Sequence, residues 1–448
     1  MKVSFDIRNN LFFDVAVVGG GVAGFSAAVS AARSGAKTLL VENGGFLGGT
    51  ATKGLVGPFM TCLDSKGENQ IIRGFFSEFV ERMVADGGAI SYKSCRGGDC
   101  YSGYRTAGHI GVTPFAVESF KRVSEAICIE SGVELRYHNT LIGCETENRI
   151  ISAIYVTDGE GIDKINAKVF IDCTGNASLA AKANAETFRG DEDGNIQTAS
   201  MFFIIDGVDA DALDAYMAEH TEMRERFFMD EIEAGRKDCS FPCGTLKLRI
   251  FKNPDNTWTV NMAQSDEVFN ELDSAEITSV EIAQRKQIKQ MIGFLKNNIP
   301  PLRNIRLVSS ASDVGIRETR RMMGKHLFCL DDIVNSRRFE DRIAVCANSI
   351  DIHQKVGVAY TPYKGDKNYY IPLSCLISKD IDNLLAAGKN LSADKYAFAA
   401  VRVIPPCFAM GEAVGITAAM AAKKNIGTMN VPIKDIQDEI IARGGYLE

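Results

Sequence analysis

The chain has 448 residues, with 50 Lys plus Arg against 57 Asp plus Glu and a formal charge of −7. At 46% hydrophobic and 24% charged residues it has the composition of a folded globular protein, long enough for two or three domains of ~150 residues. The acidic balance offers no basic stripe for nucleic acid, the apolar run at 414–422 falls short of the ~20 residues that span a bilayer, and MKVSFDIRNN lacks the apolar core of a signal peptide, so a cytoplasmic protein without nucleic-acid or membrane partners is expected.

Residues 13–18, FDVAVV, form a short continuous apolar run, the pattern of a parallel strand buried on both faces. GGGVAG follows directly, then an Ala- and Ser-rich helix over 25–33 that Gly35 ends, then a second apolar run at 38–41. Together these make a βαβ unit of about 30 residues. Thr113 and Pro114 predict a helix start, with Phe120, Val123, Ile127 and Cys128 on its buried face and Gly132 at its end. A third strand is expected over 133–138, and an antiparallel pair at 149–157 and 167–171 around a turn at 158–161. The charged stretch 206–235 reads as helical, and 276–297 as a long amphipathic helix stopped by Pro300 and Pro301. Residues 384–387 return to a buried-strand pattern and 406–422 to a small-residue helix.

The predicted class is α/β: a Rossmann-like dinucleotide-binding domain, with a parallel sheet and a small antiparallel meander, interrupted by an inserted α+β substrate domain. The expected boundaries are 1–62, 113–190 and 375–448 for the nucleotide domain, 63–112 for a loop and helix insertion, and 191–374 for the substrate or cap domain.

Gly19, Gly21 and Gly24 form GxGxxG between a buried strand and a helix, and Glu42 stands 21 residues beyond Gly21. In that context Gly19 makes the tight turn, Gly21 admits a pyrophosphate to the backbone at a φ that Gly tolerates cheaply, and Gly24 lets helix and strand pack closely. The phosphates then meet N–H groups at the helix N-terminus, and Glu42 accepts hydrogen bonds from ribose hydroxyls. Gly48, Gly49 and Thr50 invite a second close approach of backbone to ligand; an ordinary loop fits them equally well.

The ordered segments DVAVVGGGVAG…LLVE, FLGGTAT, FIDCTGNASLAAKANA, NLLAAGKNLS and VRVIPPCFAMGEAVGITAAM resemble the successive motifs of the FAD-dependent oxidoreductase family. That family belongs to the glutathione-reductase-like flavoprotein superfamily and is related in fold to fumarate reductases. The likeness spans 12–190 and 300–425; residues 191–299 resemble no family. The resemblance implies a nucleotide-binding flavoprotein with non-covalent FAD. Gly19, Gly21, Val22, Ala23 and Gly24 would hold the pyrophosphate, and Glu42 and Asn43 the adenosine ribose. Gly48, Gly49 and Thr50 would line the way to the flavin, Leu141 would touch adenine, and Thr174 and Gly175 would close over the dinucleotide. Gly388 and Asn390 would lie beside the ribitol, where the superfamily's Asp is replaced by Lys389. Gly411 and Gly415 would open the last helix, whose dipole favours negative charge on the reduced cofactor.

Disulfide reductases of this fold carry CxxxxC just after the Gly-Gly-Thr step, and that position is empty here. The one CxxxxC, Cys95 and Cys100, lies in another Gly-rich loop and is not expected to be a redox pair. The twelve cysteines otherwise read as reduced core thiols. No His stands near Thr50 to tether flavin, no second dinucleotide fingerprint is present, and neither the five dispersed histidines nor Cys239 and Cys243 suggest a metal.

His353, in SIDIHQ, is the best candidate for proton transfer because only His titrates unassisted near neutrality; a structural His fits equally well. Arg317 could clamp an anionic group together with Arg320, or both could join Glu318 in a structural ion network. Arg402 precedes the final helix where the flavin pyrimidine should sit; Lys395 and Tyr396 are weaker candidates. The reading is hydride transfer between flavin N5 and a small organic substrate, dehydrogenase or oxidase being favoured over reductase, with a second electron donor or acceptor. A homo-oligomer is compatible with the sequence. The alternative is a flavin-binding electron-transfer subunit of a larger redox or RNA-modifying assembly, without a small substrate of its own.

Overall fold

The computed structural model describes residues 6–94, 111–192, 194–219, 227–265, 269–353, 358–359, 363 and 366–448. Strand β1 (Ile7–Val18) buries its apolar C-terminal half and pairs in parallel with β2 (Thr38–Val41). Between them α1 (Val22–Arg33) begins three residues earlier than expected, with Gly21 at its N-cap and Gly35 in the left-handed region (φ +89°) past its end.

Helix α2 (Phe75–Ala85) and helix α3 (Val117–Glu130) pack on the same side. Thr113 and Pro114 do not open α3. Thr113 exchanges backbone hydrogen bonds with Phe59 at 2.9 Å, and the helix starts after Ala116. The extended bridge uses the Thr113 backbone, so its capping chemistry goes unused.

Strands β3 (Glu134–Arg136), β4 (Thr140–Glu147), β5 (Ile150–Thr157) and β6 (Ile162–Asp172) complete the main sheet, in the order β3-β2-β1-β6-β5-β4. Strand Leu384–Ala386 adds in parallel to the end of β6. The antiparallel pairing with β5 uses Ile162–Asn166 rather than 167–171. Val169, Phe170 and Ile171 are buried and run parallel to β1, as a central strand requires. This is a Rossmann-like doubly covered sheet with an antiparallel edge.

The last helix, Ile404–Lys424, lies on α1. A Cβ at Gly411 would meet Ala23 O at 2.3 Å, and one at Gly415 would meet Ala27 O at 2.3 Å. Both glycines therefore sit deep in this helix to let two helices touch; they do not open it. The helix is long and apolar enough to cross a membrane, beyond what the 414–422 run suggests, yet it is almost wholly buried inside the protein.

A second core is built by a four-stranded antiparallel sheet in the order Arg306–Ser310, Ser200–Asp206, Trp258–Gln264, Ile250–Lys252. The long helix Ser274–Asn298 buries Ile288, Met291 and Leu295 against it, and Asp273 caps that helix by accepting from Ala275 N and Glu276 N. This core runs from Ala199 to Val314, with Leu55 joining from the loop after Thr50. Phe328, Ile333, Tyr369 and Leu373 belong instead to the core around α1 and the last helix. The cap is thus shorter than the expected 191–374, because the residues after 317 bury their apolar side chains against the nucleotide domain.

Glu412 is buried in the last helix, where its Oε2 accepts from Phe75 N at 3.2 Å. Burial pushes its carboxyl from the ordinary 4.5 up to about 7. The folded protein keeps this proton while the unfolded chain loses it above pH 4.5, so stability falls as pH rises toward 7. Glu412→Gln is expected to raise the melting temperature at pH 8 and leave it nearly unchanged at pH 5, read by thermal melts at both pH values.

Candidate active site

The C-terminal ends of β1, β2 and β6 open on a cavity of about 590 Å³. Gly19, Gly21, Val22 and Ala23 line it at the N-terminus of α1, whose first-turn N–H groups have no partner within the helix. Gly21 has φ −64° and ψ 179°, extended backbone open to any residue, so the expected φ requirement is absent. What Gly21 supplies is space. A Cβ added there finds only Gly49 Cα, at 4.0 Å. Gly19 and Gly24 are different: a Cβ would strike Cys173 O at 2.3 Å or Gly19 O at 1.8 Å. Gly24 stands behind the wall, where it lets helix and strand pack.

Glu42 and Asn43 line the same cavity. Glu42 Oε2 accepts from Gly20 N at 2.7 Å; Oε1 accepts from Gly44 N and from Lys53 Nζ, each at 2.7 Å. A carboxylate has about four lone-pair sites, so one remains for a ribose hydroxyl. Leu141, Thr174, Gly175, Gly49, Thr50 and Gly388 also reach the wall. Gly48 (φ +105°) does not; it donates to Gly20 O and turns the chain so that Gly49 can approach Gly21. Asn390 is fully buried, donates to Asp172 Oδ1 at 2.7 Å and accepts from Ala177 N, so it ties strands together instead of facing the cavity.

Three wall residues carry buried polar atoms without a hydrogen-bond partner: Asn139 at Oδ1, Arg402 at Nε, and Glu271, whose carboxylate stands 2.6 Å from Arg189 in an ion pair. With the Gly21 space and the free N–H groups of α1, the first two are what a dinucleotide would satisfy, and the residues present fit FAD.

A second cavity, of about 170 Å³, lies under the cap sheet. It shares Thr50, Ile316, Lys389, Arg402 and Ile404 with the first, so the two adjoin. Ile404 is the first residue of the last helix, so the helix N-terminus does face both cavities, seven residues before Gly411.

His353, Asp351 and Arg317 line this smaller cavity. His353 N donates to Gln197 Oε1 at 3.2 Å, and His353 Nε2 lies 3.3 Å from Asp351 Oδ2. Burial, then the Arg317 charge, pulls the imidazole down to about 3, so it does not titrate near neutrality as expected. A neutral ring that donates Nε2–H to Asp351 keeps its lone pair on Nδ1. Burial opposes the Asp351 charge, but Arg402, with His353 and Arg317, outweighs it and holds the carboxyl at about 2. Arg402 Nη2 donates to Asp351 Oδ1 at 3.2 Å and to Gln197 Oε1 at 3.2 Å.

Arg317 donates to Thr198 O at 2.6 Å and Ser200 Oγ at 2.5 Å. Arg320 turns away to Asn176 O, and Glu318 pairs at 3.4 Å with the buried Arg321, so the sequence cluster splits into one cavity residue and a structural ion pair. Lys395 is held by Asp191 at 2.6 Å and Tyr396 is exposed; neither lines either of these two cavities. Cys95 and Cys100 lie outside the described residues. Sequence reasoning missed Lys53, Asn139, Lys247, Arg249 and the cavity role of Asp351. The alternation Leu-Lys-Leu-Arg-Ile at 246–250 carried a signal: Leu248 and Ile250 are buried, and Lys247 and Arg249 share the opposite face.

A sheet of this topology with a dinucleotide cavity at its strand ends defines a Rossmann-like nucleotide-binding protein. The sequence matches the FAD dependent oxidoreductase family over residues 14–440, and the chain belongs to that family. It is an oxidoreductase and a flavoprotein with FAD as cofactor. No curated protein matches the sequence. Among solved structures it is similar to p-nitrophenol 4-monooxygenase from Pseudomonas putida, at 10% identity over 97% of this chain and 85% of that one, with a TM-score of 0.50. It is also similar to a geranylgeranyl bacteriochlorophyll reductase-like protein from Thermoplasma acidophilum (14% identity, 97% and 84% coverage, TM-score 0.48) and to L-amino acid deaminase from Proteus myxofaciens (11%, 97% and 95%, 0.48). At these identities the likeness concerns the fold.

Proposed function

We propose that the protein oxidises a small organic substrate held in the 170 Å³ cavity, by hydride transfer to flavin held non-covalently in the 590 Å³ cavity. The observation that carries this reading is the wall the two cavities share, at Thr50, Ile316, Lys389, Arg402 and Ile404. FAD, when bound, supplies the hydride acceptor at N5.

The chain's residues do the rest. Apolar side chains, among them Val56, Phe202, Ile316 and Val403, exclude water from the substrate. His353 Nδ1 accepts the substrate proton, and Asp351, bonded to the other ring nitrogen, orients the imidazole and stabilises the imidazolium that forms. Arg402 holds Asp351 in place and sets a cation at the boundary of the two cavities.

Anaerobic addition of small hydroxy, amino and saturated acids, with the visible flavin absorption followed, tests the reading. Bleaching by one of them, without any protein partner, is the expected result. A flavin that bleaches only with a partner protein would count against it.

A further inference from the structure

We propose that the small cavity selects a dianion, a dicarboxylate of about six to nine heavy atoms, held by guanidinium and ammonium groups from several segments at once. The inference rests on the reading of this cavity as the substrate site. A cavity of about 150 Å³ takes a benzene ring, so 170 Å³ sets the size class.

The charge on the wall sets the rest. Lys247, Arg249 and Arg317 face this cavity alone, while Lys389 and Arg402 stand where it meets the larger one. The carboxylate among its lining residues is Asp351, already paired with Arg402 at 3.2 Å, and His353 is neutral. With Asp351 assigned to Arg402, Arg249 and Arg317 remain as two guanidinium cations that face the small cavity alone, which a dianion balances. Among the described residues, no carboxylate lies within ion-pair distance of Arg249, Arg317 or Lys389. Lys389 Nζ donates to Ile316 O, and Arg317 spends two N–H groups on Thr198 O and Ser200 Oγ. Burial, then the Arg402 charge, pulls Arg317 down to about 9 and Lys389 down to about 8.

Geometry argues for two separate anionic groups. Arg249 enters from the cap beside strand Ile250–Lys252, Arg317 from the return segment after the cap, and Arg402 from the turn before the last helix. One carboxylate presents one edge to one guanidinium fork, so forks from three segments call for more than one acceptor. The same wall also carries the apolar residues Val56, Pro58 and Met60, which suit a short hydrocarbon link.

Isothermal titration of the oxidised holoenzyme with succinate, glutarate, butyrate and inorganic phosphate tests this. Succinate or glutarate is expected to bind at least tenfold tighter than butyrate, about 1.4 kcal/mol, and to weaken as salt is added. Phosphate, a dianion without separated charges, is expected to bind no better than butyrate. Arg249→Met, with its flavin content checked, should bring succinate within about threefold of butyrate. Equal affinity for butyrate and the dicarboxylates, phosphate matching succinate, or an unchanged succinate affinity in R249M would each overturn the proposal. Bleaching by a neutral compound while no dicarboxylate binds would sink the dianion and leave hydride transfer standing. Tight dicarboxylate binding, with no oxidisable acid able to bleach the flavin, would do the reverse.

Discussion

Replacing Gly21 with valine is expected to give a folded, colourless protein. The backbone at Gly21 is extended (φ −64°), so valine meets no conformational penalty there, and its added carbons start from a Cβ that meets only Gly49 Cα, at 4.0 Å. They project instead into the 590 Å³ cavity, between the N-terminus of α1 and the Gly49 loop, and fill the space a pyrophosphate needs. The flavin-to-protein absorbance ratio after gel filtration should fall to near zero, while circular dichroism and the melting curve match those of wild-type apoprotein. Gly24→Ala makes the contrast. Its Cβ would lie 1.8 Å from Gly19 O, so α1 must move off the sheet, and loss of folding together with flavin is expected. Full flavin content in Gly21→Val would mean that the dinucleotide does not cross at this turn.

The contrast between these two glycines marks what local sequence can say. The strand, the Gly-rich turn, α1 and Glu42 are neighbours in sequence and space, so their joint pattern carries both fold and ligand. Gly411, Gly415 and Asn390 have the same small or polar character, but their partners are α1 and Asp172, hundreds of residues away in the chain. A small residue that admits a ligand and one that admits a neighbouring helix look identical until the fold supplies the other side. The smaller cavity is harder still to read. Its wall draws on segments around Val56, Phe202, Arg249, Arg317, His353 and Arg402, and no single segment contains a pattern of its own. His353 was identifiable as a candidate by residue type. Its neutral state was not, because burial under the cap and the charge of Arg317 create it.

His353→Ala is expected to slow substrate-driven flavin reduction by about 10²–10⁴-fold, the worth of a positioned general base, with FAD content unchanged. The resting imidazole is held near 3, so it stays unprotonated and competent from neutral pH down to about that value. Protonation of this His should therefore leave no inflection near pH 6.5 in the rate profile of the free enzyme. The same depressed value means that the unfolded chain, not the folded one, takes up a proton as pH falls below 6.5, so this residue lowers stability between 6.5 and 3. A base with so low a resting value works only if the imidazolium formed in the reaction is stabilised. Asp351 supplies that charge 3.3 Å from Nε2, and an anionic substrate beside Arg317 would add to it by offsetting the cation that depresses the ring. Asp351→Asn keeps the shape and removes the charge that favours the imidazolium, so it should slow reduction as well, across the whole range from pH 5 to 9. Stopped-flow reduction of both variants across pH 5–9 makes the measurement. Wild-type rates in His353→Ala would move the base elsewhere on this wall, and an inflection near 6.5 that disappears with His353 would show that the ring is not held neutral.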